Sequence, residues 1–340
     1  MDKLKVAING FGRIGRAFFK QALDDEKVEI VAINDLGELE NLVYLLRFDS
    51  AYGRYNKEVK MESDGDTRYL SVDGEKVRFI NESDPNDLPW KELDVDVVVE
   101  STGVFTEKEK AAGHIKAGAK RVVISANAKG GVDHVILGAN DFSETLDKIT
   151  SDGSCTTNAI VPLASLLEMS VGIERGFMTT VHGYTASQNI VDGPNGKFER
   201  GRAGAQNIVL TTTSAAEAAP KALPFLEENT FDAMAIRVPV ITGSVVDFIF
   251  VASRDTTAEE INEIFTNASK EEKWQKTLSV TSEKLVSSDI IGEPYGAIVA
   301  MPETKVLGGN LVKVMAWYDN EWGYTQTLLE HVKSLAPYVN

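Results

Sequence analysis

The opening stretch of the chain constrains its fold more than any other. Leu4 to Ile8 is a short apolar run leading directly into Gly10-Phe11-Gly12-Arg13-Ile14-Gly15. Apolar residues at helical spacing follow (Ala17, Phe18, Ala22, Leu23), then a second apolar run, Val28 to Ile33, ending at Asn34-Asp35. Strand, glycine loop, helix, strand and an acid twenty residues after Gly15 predict a dinucleotide-binding βαβ unit. Gly10 permits the tight turn, Gly12 lets the backbone approach a pyrophosphate, and Gly15 lets helix pack on strand; the helix N-terminus faces the phosphates. Asp35 can accept both ribose hydroxyls and would repel a 2′-phosphate, and Leu36 offers that phosphate nothing. NAD is therefore expected over NADP.

The pattern continues as an α/β sheet. Glu38 to Phe48 reads as a helix, and Tyr52 to Ile80 as a hairpin-rich insertion turning at Asp64-Gly65-Asp66 and Asp73-Gly74. Val95 to Glu100 is a buried parallel strand stopping at Ser101-Thr102-Gly103, and Arg121 to Ile124 another stopping at Ser125; a helix, Lys108 to Ala117, lies between. Ligands lie beyond the carboxyl ends of such strands. Thr102, Gly103 and Ser125 suit cofactor neighbours and ordinary turn residues equally.

The one cysteine among 340 residues is Cys155, in Ser151-Asp152-Gly153-Ser154-Cys155-Thr156-Thr157-Asn158. Apolar residues from Ile160 to Met169 recur at helical spacing behind it, so the thiol stands near a helix start, where free N–H groups and the helix dipole favour a thiolate. A buried structural cysteine suits this stretch equally well. Gly176 to Tyr184 alternates as a strand, with Met178, Thr180 and His182 on one side. The irregular stretch Thr185 to Ala205, holding Arg200 and Arg202, is long enough to be functional. Thr211-Thr212-Thr213-Ser214 opens an alanine-rich helix suited to an anion. Arg237, within the apolar run Phe231 to Pro239, requires an anionic partner. Strands over Ser244 to Ser253, Ala297 to Met301 and Asn310 to Tyr318, with helices over Thr257 to Ser269 and Glu321 to Leu335, suggest an α+β second domain with a mostly antiparallel sheet. The domains are expected over 1–154 and 155–320, with a final helix, 321–340, packing back on the first.

Charge and composition narrow the partners. A net charge of −16 disfavours nucleic acid. A lone cysteine makes no internal disulfide, no apolar run reaches ~18 residues, and no signal peptide is visible. The expectation is a cytoplasmic protein without a membrane or metal site.

The glycine fingerprint, Ser154-Cys-Thr-Thr-Asn158, His182-Gly-Tyr-Thr185 and Trp317-Tyr-Asp-Asn-Glu-Trp-Gly-Tyr324 stand in order along the chain. Together they resemble the phosphorylating glyceraldehyde-3-phosphate dehydrogenases, over essentially the whole length. The resemblance implies a Rossmann-type nucleotide domain, a catalytic and oligomerisation domain, and a homotetramer whose long loop packs against a neighbour's cofactor. It implies Cys155 as nucleophile and His182 as its base. It implies Gly10, Gly12, Arg13, Ile14, Asp35, Thr102, Ser125 and Asn320 at NAD. Two anion pockets, for D-glyceraldehyde 3-phosphate and inorganic phosphate, would draw on Ser154, Thr156, Thr185, Arg202, Thr213, Ser214 and Arg237.

Four positions depart from the family pattern. Ala159 replaces a common second cysteine, Ser83 a frequent arginine near the adenine, and Thr213-Ser214-Ala-Ala-Glu217 a common Thr-Gly-Ala-Ala-Lys. An acid in the phosphate pocket would favour the related erythrose-4-phosphate dehydrogenase, which hydrolyses the thioester with water; on an outer helix face it would not matter. A non-catalytic NAD-binding scaffold is the alternative of a different class, and a thiol–imidazole pair argues against it.

Overall fold

The computed structural model describes residues 3–140, 147–226 and 229–339. The chain divides into two compact units: Met1–Val135, Phe142–Asp152 and Leu328–Asn340 form one, Ile136–Asp141 and Gly153–Thr327 the other.

The first unit is built on a sheet whose central strands are parallel. β1 (Leu4–Asn9) enters the glycine loop, α1 (Arg13–Ala22) leaves it, and β2 (Val28–Asn34) pairs with β1. After α2 (Leu39–Arg47) come a two-residue ladder, β3 (Phe48–Asp49) and β4 (Gly53–Arg54), and the antiparallel ribbon β5 (Val59–Asp64), β6 (Thr67–Val72) and β7 (Glu75–Ile80). Thus the insertion expected over 52–80 is real, and its last strand joins β2 in parallel, Ile33 opposite Phe79. β8 (Val97–Glu100), α3 (Lys108–Lys116), β9 (Arg121–Ile124), β10 (Asp133–His134) and β11 (Ile149–Ser151) complete the order β10-β11-β9-β8-β1-β2-β7-β6-β5. β8 is buried throughout, which is why it reads as unbroken valine rather than as an alternation.

In the second unit α4 (Cys155–Val171) is apolar on nearly every side and forms the centre of the core. Ser154 caps it, its Oγ accepting from Thr157 N at 3.2 Å. β12 (Arg175–Gly183), β13 (Val209–Thr212), α5 (Ala215–Ala222), β14 (Phe231–Val238), β15 (Ser244–Val251) and α6 (Ala258–Ala268) follow. β16 (Leu278–Thr281), β17 (Ala297–Ala300), β18 (Lys305–Leu307) and β19 (Leu311–Tyr318) end the sheet. Its order is β13-β14-β12-β15-β19-β17-β16, with β18 on β19, and most of its pairings are antiparallel. α7 (Trp322–Ser334) runs from the second unit's share of the chain into the first, where Leu328, Leu329, Val332 and Leu335 join the core beside β1 and β2.

Thr211 and Thr212 lie in β13 rather than opening a helix, because their backbone pairs with Ala235 and Met234 of β14. α5 begins only at Ala215. Among the described residues no helix is long and apolar enough to cross a membrane.

Candidate active site

In the first unit the carboxyl ends of β1, β2 and β8 border a cleft of about 380 Å³. Its lining includes Gly10, Gly12, Asp35, Ser83, Thr102 and Phe105. Gly10 has φ +94°, and a Cβ there would lie 2.6 Å from Thr102 N, so only glycine allows this close approach. A Cβ on Gly12 would meet nothing within 4 Å, which leaves the loop open where a phosphate would rest. Gly12 is also the N-cap of α1 and provides no side-chain cap, and a helix start of that kind suits an anion. Asp35 is braced by the backbone: Oδ2 accepts from Phe11 N at 2.6 Å and Oδ1 from Gly37 N at 2.7 Å. These features fit a dinucleotide.

The other cofactor expectations divide. Arg13 pairs with Asp49 and lies over the Tyr52 ring. Ile14 packs against the apolar core of this unit, and Ser125 N donates to Glu100 O at 2.9 Å. Thr102 donates its hydroxyl to Glu100 and accepts from Val104 N at 3.0 Å. It therefore shapes the wall of the cleft rather than offering a free donor.

In the second unit Cys155 occupies the first turn of α4, and its Sγ lies 3.3 Å from His182 Nε2. His182 reaches it because the strand alternation turns Met178, Thr180 and His182 toward the core. His182 Nδ1 is 2.6 Å from Gly183 O and 2.8 Å from Arg237 Nη1. One nitrogen cannot both donate to the carbonyl and accept from the guanidinium. Gly183 O can accept from both, since Arg237 Nη1 also reaches it at 3.1 Å. We assign the proton to Nδ1, which turns the Nε2 lone pair toward the thiol. Burial, then Arg237, then Arg200 hold the imidazole down to about 3. Burial raises the Cys155 thiol, and Arg237 opposes that rise.

Arg237 has the electrostatics expected of it but not the partner. No carboxylate among the described residues pairs with it, and its buried Nε is without a partner there. A half-buried guanidinium in that state is suited to receive an external anion. Arg202, by contrast, is exposed and pairs with Asp192 at 2.7 Å. Arg200 is the loop cation whose charge reaches His182 and Arg237, and it bonds Thr211 Oγ1 at 3.1 Å and Thr212 O at 2.9 Å. Two residues of spacing in an irregular loop gave no face by which to choose between them.

Of the small hydroxyl residues, Thr156 bonds Tyr318 OH at 3.0 Å, and Thr180 shares that hydroxyl at 2.7 Å. Tyr318, whose ring stands edge-on to His182 at 6.0 Å, thus ties α4 to β12 beneath the thiol. It lay inside the quoted Trp317–Tyr324 motif, but its role needs the three-dimensional register. Ser154 serves as the α4 cap, Thr185 bonds Ser187 at 2.9 Å, and Thr213 Oγ1 accepts from Ala215 N at 3.2 Å. Ser214 and Glu217 are exposed, whereas Ala215, Ala218, Ala219 and Ala222 are buried. Asn320 Oδ1 accepts from Ser244 Oγ at 2.9 Å and Gly243 N at 3.1 Å, while the Thr242 hydroxyl, 3.2 Å away, lies nearer Asp319 Oδ1 at 3.0 Å. Because Gly243 N–H can only donate, the amide orientation is settled, and the Asn320 NH₂ is left to meet a carbonyl.

Two family models match the chain. The NAD binding domain of glyceraldehyde 3-phosphate dehydrogenase matches residues 4–108 and its C-terminal domain residues 154–320. Similar proteins include glyceraldehyde-3-phosphate dehydrogenase 2 of Bacillus subtilis (strain 168), 43% identical over 98% of this chain and 97% of that protein. The glyceraldehyde-3-phosphate dehydrogenases of Zymomonas mobilis subsp. mobilis and Haloarcula vallismortis are each 44% identical; the first covers 98% of both chains, the second 97%. With both models matched in order and a cysteine present only at the reactive helix start, the chain belongs to the glyceraldehyde 3-phosphate dehydrogenase family.

Proposed function

We propose that the protein oxidises D-glyceraldehyde 3-phosphate to 1,3-bisphosphoglycerate, using NAD and inorganic phosphate. The observation that carries this is the thiol 3.3 Å from His182 Nε2, beside a guanidinium with no carboxylate partner among the described residues. Cys155 Sγ adds to the aldehyde carbon as its proton passes to His182 Nε2, and Nε2 returns that proton to the carbonyl oxygen, giving a hemithioacetal and a neutral imidazole. The Cys155 N–H at the helix start steadies the oxyanion, a contribution of about 3 kcal/mol in comparable sites. His182 Nε2 then removes the hydroxyl proton, and Cys155 is left as a thioester. The dinucleotide, when bound, supplies the acceptor for the hydride. Phosphate attacks the acyl carbon, the thiolate departs, and Cys155 is regenerated.

Arg237 and Arg200 serve the anions. Burial holds His182 down first, and each arriving phosphate offsets the Arg237 and Arg200 charges that add to it. Asn320 presents its amide to the nicotinamide carboxamide, and Ser154, Thr156, Thr185, Thr213 and Ser214 border the anion pockets. Arg202 belongs with Asp192 at the loop surface in this reading. We assign residues 1–154 to the nucleotide domain and 155–320 to the catalytic domain, and we place the protein in the cytoplasm.

A homotetramer is supported by the second unit's sheet. One face packs on α4, α5 and α6; the other is turned out, carrying Phe177, Leu210, Met234 and Ile249 exposed. The long loop adds Ile190, Val191 and Phe198, the last 90% exposed. Apolar area of that kind marks a subunit interface. The exposed position of Glu217 favours phosphorolysis over hydrolysis. An assay with glyceraldehyde 3-phosphate and NAD, with and without phosphate, tests the reading. Turnover should depend on phosphate, and equal turnover in its absence would move the protein to the hydrolytic reaction.

A further inference from the structure

The carboxyl end of β8 carries a buried acid that this chemistry does not use. Glu100 is 1% exposed, and four donors converge on it: Asn9 Nδ2 at 2.6 Å, Thr102 N at 2.9 Å, His114 Nε2 at 3.1 Å and the Thr102 hydroxyl. The Thr102 hydroxyl is directed at the carboxylate because Val104 N donates to its oxygen from the other side. His114 is fully buried on α3. Its Nδ1 lies 3.0 Å from Trp90 Nε1, an indole N–H that can only donate. Nδ1 must therefore accept, and the single ring proton must sit on Nε2, facing Glu100. Trp90 thus selects one neutral tautomer.

The network extends along the floor of the dinucleotide cleft. Asn9 Oδ1 accepts from Asn34 Nδ2 at 2.7 Å, and Asn34 exchanges bonds with the Glu82 backbone, each at 2.9 Å. Asn9, Asn34, Glu82 and Thr102 all line that cleft. The place of Thr102 matters because Gly10 packs against its backbone with no room for a Cβ.

We propose that Glu100 and His114 are positioning residues for the dinucleotide, holding the Thr102 wall and the Asn9 floor in the geometry that the glycine loop requires. This rests on the reading of the cleft as the NAD site. Without the His114 proton the carboxylate loses a donor in a place water does not reach, and relaxes away from Thr102. Glutamine at position 114 can still donate toward Glu100 while its oxygen accepts from Trp90; leucine can do neither.

Calorimetric titration of the full-length protein with NAD tests this, alongside histidine-selective ¹⁵N NMR. His114→Leu should weaken NAD binding about tenfold, while kcat at saturating NAD stays within twofold. His114→Gln should remain within threefold on both counts. The wild-type His114 signal, identified by its loss in His114→Gln, should show a neutral Nε2–H ring. NAD affinity unchanged in a folded His114→Leu protein would overturn the proposal, as would an Nδ1–H or doubly protonated ring. Failure of the wild-type protein to bind NAD would instead overturn the reading of the cleft.

Discussion

The dinucleotide cleft and the thiol site solve opposite electrostatic problems. In and behind the cleft, the side chains are met: Glu100 by four donors, Asp35 by two backbone N–H groups, Asn34 by Asn9 and Glu82. At the thiol, Arg237 keeps a buried Nε without a partner among the described residues, and His182 is pushed far below its ordinary range. A binding site profits from being complete before its ligand arrives. A reactive site profits from charges that only the substrate completes, since interactions formed late favour the transition state over the resting enzyme.

The contrast is broken most sharply at the nucleophile. Cys155→Ser should lower turnover by at least about a thousandfold, because a hydroxyl is a far weaker nucleophile at neutral pH. NAD binding, measured by titration, should not change, since the glycine loop and Asp35 are untouched. Turnover within tenfold of the parent would remove Cys155 from the chemistry.

Arg237 carries the next effect. Arg237→Met should reduce kcat/KM by on the order of a hundredfold, in line with losing a charge-assisted contact to the substrate's phosphate. It should also raise the melting temperature by about 2 °C, because a half-buried charge without a carboxylate partner among the described residues is removed. Activity and stability moving in opposite directions would mark the residue as held for function. A fall in both would mean that its bond to Gly183 O is structural.

Histidine titration sharpens the same contrast. The folded imidazole of His182 binds its proton only near pH 3, whereas an unfolded one does so near 6.5. Between those values the unfolded chain holds more protons, so stability is present above pH 6.5 and is lost as pH falls toward 3. His182→Asn should flatten that acid limb in denaturant titrations at pH 4 to 7 without added phosphate. Phosphate should flatten the limb of the parent protein in part, by offsetting Arg237 and Arg200. An acid limb of equal slope in parent and variant would show that His182 is not the titrating group.

What was legible in the sequence follows from where the information resides. The glycine loop and Asp35 were readable because their spacing is local, and so was Cys155 near a helix start; that Ser154 caps the helix was not. The turn of His182 toward the core followed from simple strand alternation. The Tyr318 hydroxyl shared by Thr156 and Thr180 joins residues 162 and 138 positions apart, and no local pattern carries that. Trp90, His114 and Glu100 meet for the same reason. β13 was hidden because Thr211 and Thr212 also suit a helix entrance, and only pairing with β14 decides between the two. Arg237 was legible as a need for an anion; that no side chain of the described protein meets the need was not.

The smallest effect is expected at Glu217, where the sequence departs from the family pattern on an exposed helix face. Its side chain is exposed on α5, and the buried face of that helix is made of Ala215, Ala218, Ala219 and Ala222. Water and salt screen a charge so placed. Glu217→Lys should therefore change the phosphate KM by less than about threefold, roughly 0.7 kcal/mol. The adjoining Ser214 has φ −70° and ψ −12°, ordinary helical backbone that any residue adopts, so Ser214→Gly relieves no strain. Its only direct consequence is removal of the side chain beside the helix entrance, and a change in phosphate KM larger than that of Glu217→Lys would place the Ser214 side chain against the anion. A tenfold gain in phosphate affinity from Glu217→Lys would instead mean that the acid reaches the pocket in solution. The thiol site would then include a negative charge opposing Arg237, and the contrast with the saturated dinucleotide cleft would narrow.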